Sequence, residues 1–130
     1  MDKASVMNDF NNMVLDLASQ LAILCPTSII ANNIDVLQRL IKKNSKSVID
    51  IFVIYVLKYK PQIDSGDDAF FMTNAFDSEI SAVGNSVNDN DLIRKAFEFK
   101  SIWKQLKQEN RDVVKQYMQI LCQLSLSYIS

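Results

Sequence analysis

The chain has 130 residues, 48% of them hydrophobic and 22% charged; that fits one globular domain over residues 1–130 and excludes the disordered class. Its formal net charge of −1 sets up no long-range field towards nucleic acid or an anionic membrane, so any partner is read by local patches. Two Gly, two Pro, no His, and two Cys far apart in sequence exclude hairpin-rich β folds, a zinc site and a disulfide framework, and predict an all-α protein without a cofactor.

Over residues 5–25, Phe10, Val14, Leu17, Leu21 and Leu24 recur at alternating spacings of four and three, which predicts a first amphipathic helix stopped by Pro26. Thr27 or Ser28 is the candidate cap of a second helix, striped by Ile30, Ile34, Leu37 and Ile41 and closed by Lys42, Lys43 and Asn44. The pair reads as an antiparallel helical hairpin. Residues 47–59 are apolar with little alternation, so periodicity alone does not separate a buried helix from a buried strand. A single strand would have no partner elsewhere in the chain, and the expectation is a central helix surrounded by the others and ended by Pro61. Asp50 inside that segment reads as a first-turn acid.

Ser65-Gly66-Asp67-Asp68 carries the clearest turn chemistry and marks the main loop, over residues 62–68. Phe70, Phe71, Met72 and Phe76 follow as a short helix or hydrophobic plug, with a second, polar loop at residues 85–90. Asp89 or Asn90 is the candidate cap of a helix beginning near Asp91 and running to Leu106. A polar break at residues 107–111 precedes a last apolar-striped helix reaching Ile129. The expected architecture is a compact bundle of about five or six helices. Residues 1–3 start with charge but lack a following signal-peptide core, and the apolar run 51–57 is too short to cross a bilayer.

Few residues offer chemistry. Asp64, Asp67 and Asp68 resemble part of a calcium loop, but Phe70, Phe71 and Met72 stand where further oxygen ligands should be, and a solvated turn is the better reading. Cys25 and Cys122 lie on apolar stretches without a neighbour that would activate a thiol. Lys100, Lys104, Lys107, Arg111 and Lys115 would form a basic stripe if the two C-terminal helices were continuous. Glu98, Glu109 and Asp112 interrupt it and no aromatic residues are interleaved for base stacking, so nucleic-acid binding is disfavoured. Phe97, Trp103, Leu106, Tyr117, Leu121 and Leu124 are expected in the core, with Trp103 the most sensitive. A patch formed by Phe70, Phe71, Met72 and Phe76, if exposed, is the candidate docking site for a partner.

The wording Ile102-Trp103-Lys104-Gln105-Leu106, then Glu109-Asn110 and Val113-Val114-Lys115-Gln116-Tyr117-Met118-Gln119-Ile120-Leu121, resembles short helical proteins encoded by nucleocytoplasmic large DNA viruses. In those, an Ile-Trp-x-x-Leu block precedes a Tyr-centred apolar helix, and Tyr59-Lys60-Pro61 with Asp68 and Phe70-Phe71 fits the same pattern. The resemblance covers about the last 70 residues, and a pattern of this kind satisfies many helical bundles. That family has no assigned activity and contributes no functional residues. It implies a virus-encoded, non-enzymatic protein of the host cytoplasm or the virion. The expected function is a helical protein-interaction module binding another protein or itself. The alternatives are a groove that holds a host helix to regulate signalling or cell death, and nucleic-acid binding through the stripe between Lys100 and Lys115.

Overall fold

In the computed structural model, which describes residues 2–27, 29–66, 68–71 and 103–130, the first apolar stripe forms helix α1 (Lys3–Leu24). The Asp2 carboxylate accepts a hydrogen bond from the Ser5 N–H at 2.7 Å, satisfying a donor that the helix start leaves free. Val6, Phe10, Val14, Leu17 and Leu21 are buried at spacings of four, four, three and four, the geometry by which a 3.6-residue turn presents one face. The helix ends at Cys25, one residue before Pro26, because a residue preceding proline is pushed out of the helical region.

The second stripe breaks where one continuous helix was expected. Asn33 leaves helical geometry, dividing α2 (Ile29–Asn32) from α3 (Ile34–Lys43). Leu37 and Leu40 are buried, while Ile34 and Ile41 are half-buried. Lys42 and Lys43 occupy the last turn of α3 and Asn44 its C-cap, as the sequence predicts. The Asn11 amide of α1 donates to the Ser45 carbonyl at 2.9 Å and ties the hairpin to the following turn.

Helix α4 (Ser47–Tyr55) resolves the helix-or-strand ambiguity. Val48, Ile49, Ile51 and Phe52 are buried, and Phe52 meets Phe10 edge to face at 5.2 Å between ring centres. The helix is not surrounded on all sides, however. Asp50 is exposed in its first turn, and Ile54, one turn on, is 62% exposed. Pro61 also differs from expectation, because it begins a helix instead of ending one. After a 3₁₀ turn (Leu57–Tyr59), Pro61 sits in the first turn of α5 (Lys60–Ser65), where its missing N–H has no intrahelical partner to lose. The residues assigned to the main loop are therefore partly helical. Gly66 caps α5 in the left-handed region, φ 66°, which a residue with a Cβ adopts at a cost.

Helix α6 (Gln108–Ile129) completes the described elements. Asp16 pairs with Tyr117, while Asp9 and Met13 lie with Ile120 and Leu124. The numbering of α1 and α6 thus runs in opposite directions, and the two form an antiparallel frame. The Gln119 amide donates to the Ile63 and Asp64 carbonyls at 3.2 and 3.3 Å, seating α5 on α6. One continuous buried cluster joins α1, α3, α4, α5, residues 70–71, Trp103 and α6. The protein is all-α, with six α-helices and no strand among the described residues. Among those residues no helix is long and apolar enough to cross a membrane.

Candidate functional site

Phe70 and Phe71, the described members of the candidate docking patch, are core. Phe70 is 8% exposed and Phe71 0%, so neither is available as a docking residue. A run of ring contacts accounts for this: Tyr59 packs on Phe70 at 5.5 Å, Phe70 on Phe71 edge to face at 5.3 Å, and Phe71 stacks on Trp103 at 4.7 Å. Trp103, fully buried as predicted, supplies the second wall that local sequence around residue 70 does not reveal. Met72 and Phe76 lie outside the described residues, as do Lys100, Phe97 and residues 91–102 of the helix predicted from Asp91 to Leu106, whose last three residues are not helical.

The basic stripe is not continuous either. Lys107 is the N-cap of α6 with extended backbone, φ −68° and ψ 157°, and residues 104–106 are not helical. Lys104 and Lys107 are exposed. The Arg111 Nε donates to the Trp103 carbonyl at 2.9 Å, and its guanidinium lies 6.0 Å from the Trp103 ring centre. Lys115 pairs with Asp68 at 2.6 Å and, at 3.6 Å, with Asp112. Two of the five cations are therefore committed to holding the fold, which weakens any phosphate-binding role for the set. Asp64 is likewise paired with Lys60 inside α5.

Both thiols are buried, and burial pushes them up from the ordinary value, Cys122 to about 12. A buried neutral thiol is a poor nucleophile.

Among the described residues, a concave surface lies between α1 and α6. Two adjoining hollows of about 590 and 330 Å³ share Met13, Asp16 and Ile120. Asp9, Asn12 and Leu124 extend them towards one end, and Val113, Gln116 and Tyr117 towards the other. The groove follows from the width of the apolar arc on α6. Val114, Met118, Leu121 and Cys122 are buried, yet Val113 and Ile120, immediate neighbours of Val114 and Leu121, point about 100° away from them. Those two side chains are each 40% exposed. On α1, Met13 is half-buried beside the core stripe, and Asp9 and Asp16 are exposed beyond it.

Tyr117 spans the cleft. Its hydroxyl donates to the Asp16 Oδ2 at 2.5 Å, and this bond, with burial and the carboxylate's charge, pushes the phenol up to about 12. Asp16 accepts from a neutral donor, so its negative charge is not cancelled. Tyr117 and Leu124 were expected in the core and are half-buried at its edge. Val113, Ile120, Asp9 and Asp16 were not singled out as site residues. The usable signal was the adjacent pairs Val113-Val114 and Ile120-Leu121, which cannot all face one direction on a helix.

Comparison of the chain with known protein families, with characterised proteins and with solved structures finds no match.

Proposed function

We propose that the protein is a non-enzymatic interaction module that seats a helix of another protein in the groove between α1 and α6. The observation that carries this reading is the exposed apolar rim, Val113 and Ile120, above a hollow floored by Met13 and Leu124. The lined stretch runs from Val113 to Leu124 on α6, about 16 Å along the axis, enough to seat about three turns of a partner helix. Apolar side chains of such a helix would pack between those of α1 and α6 as a third member of the bundle. The resemblance of the C-terminal block to short helical proteins of large DNA viruses supports a virus-encoded setting.

The test is a titration of the full chain with amphipathic helical peptides of about 20 residues, followed by nuclear magnetic resonance. Saturable binding with shifts concentrated at Met13, Val113, Tyr117, Ile120 and Leu124 is the expected result. Ile120→Glu should abolish it, and a cooperative melting transition in that variant separates lost binding from lost folding. Binding that survives Ile120→Glu, or shifts that map to another face, would overturn the proposal.

A further inference from the structure

We infer that the seated helix carries basic residues two helical turns apart, facing Asp9 and Asp16, with its apolar stripe against Met13, Val113 and Ile120. This rests on the groove reading and adds the partner's chemistry and register. Asp9 and Asp16 are seven residues apart on one continuous helix, so they project from nearly the same side, about 10.5 Å apart along the axis. Val113 and Ile120 repeat the same spacing on the opposite wall. Both walls of the groove thus present one two-turn period, the spacing at which a third helix brings equivalent positions back to the same contact.

The charge of the groove is one-sided. Among the residues lining the two hollows, Asp9 and Asp16 are the charged ones, and no Lys or Arg lies with them. Asp9 has no described hydrogen-bond or ion-pair partner. Asp16 has the neutral Tyr117 hydroxyl. A partner with acidic groups at this rim would meet two uncompensated carboxylates, and an uncharged one would leave them beside apolar contact surface; cationic side chains satisfy both. Lys and Arg also suit the position because their stems cover apolar surface while their charged ends reach the rim.

Three peptides with an identical Leu stripe decide it. One carries Lys at two positions seven apart beside the stripe, the second Glu at the same positions, and the third the same two Lys moved to the opposite face. The in-phase Lys peptide should bind tightest, and Asp9→Lys or Asp16→Asn should each weaken it by about two- to fivefold, the effect of losing a rim ion pair. Asp16→Asn keeps an acceptor for Tyr117, so the fold is preserved. Asp9→Lys should improve binding of the Glu peptide. If the three peptides bind equally and Ile120→Glu abolishes all of them, the groove reading stands and the charge register is wrong. Should none bind, both fall. Light scattering separates the remaining occupant: a dimer of the chain that Ile120→Glu dissociates makes a second copy the ligand and overturns the inference.

Discussion

Trp103 shows how one side chain closes a part of the structure that its neighbours in sequence do not predict. Its ring is stacked by Phe71, approached by the Arg111 guanidinium, and its carbonyl is held by the Arg111 Nε. Trp103→Ala removes the partner of Phe71 and leaves a cavity that the short turn at residues 104–106 cannot fill. A loss of roughly 3–5 kcal/mol is expected, read as a lower urea midpoint. Arg111 depends on the same site, so its substitution should cost stability before it affects any anion binding. The sequence marked Trp103 as a core residue from its type and stripe. It could not mark Phe70 and Phe71 as core, since Phe71 is covered by a residue more than thirty positions away and Phe70 packs between Phe71 and Tyr59.

At the scale of elements, local chemistry was legible and tertiary choice was not. α1 was readable because its stripe, the stop at Pro26 and the helix length are all written within the segment. The break at Asn33 was not, because Ile30, Ile34, Leu37 and Ile41 keep helical spacing straight through it. Pro61 was ambiguous in principle: the residue that forbids a helix interior is also favoured in a first turn. Gly66 gives the clearest test at this scale. Its positive φ closes α5, and a Cβ there would meet only Lys115 Cδ at 3.6 Å, an ordinary contact. Gly66→Ala should therefore cost about 1 kcal/mol through backbone strain alone, and Gly66→Asn less, as measured by chemical denaturation. The candidate site was half legible. Adjacent apolar pairs on α6 were visible, but which member of each pair faces α1 or solvent is set by where α1 and α5 pack.

For the molecule as a whole, alkaline pH should expose the cost of its buried protons. Cys122, raised by burial, and Tyr117, raised first by its bond to Asp16, both hold their protons to about 12 in the folded state. The unfolded chain releases them near the ordinary values, 9.0 and 10.0. Between those values the unfolded state binds fewer protons, so stability falls as pH rises. Both contributions are complete below about pH 9 and are lost through about pH 12. Urea midpoints should decline over that window, and Cys122→Ala with Tyr117→Phe should flatten the decline; an unchanged slope would show that neither proton matters.

The antiparallel pairing of α1 and α6 also governs how the groove comes into being. The hydrogen bond between Tyr117 and Asp16 joins residues 101 positions apart. Closing a flexible loop of that size costs about 4 kcal/mol beyond a constant, before any packing offsets it. Both walls of the groove exist only once segments about a hundred positions apart have met, so the groove forms late in folding. The same geometry brings residue 3 and residue 129 to one end of the frame, since each lies five or six positions beyond the facing pair Asp9 and Leu124. A segment attached at either position would leave from the same end of the groove.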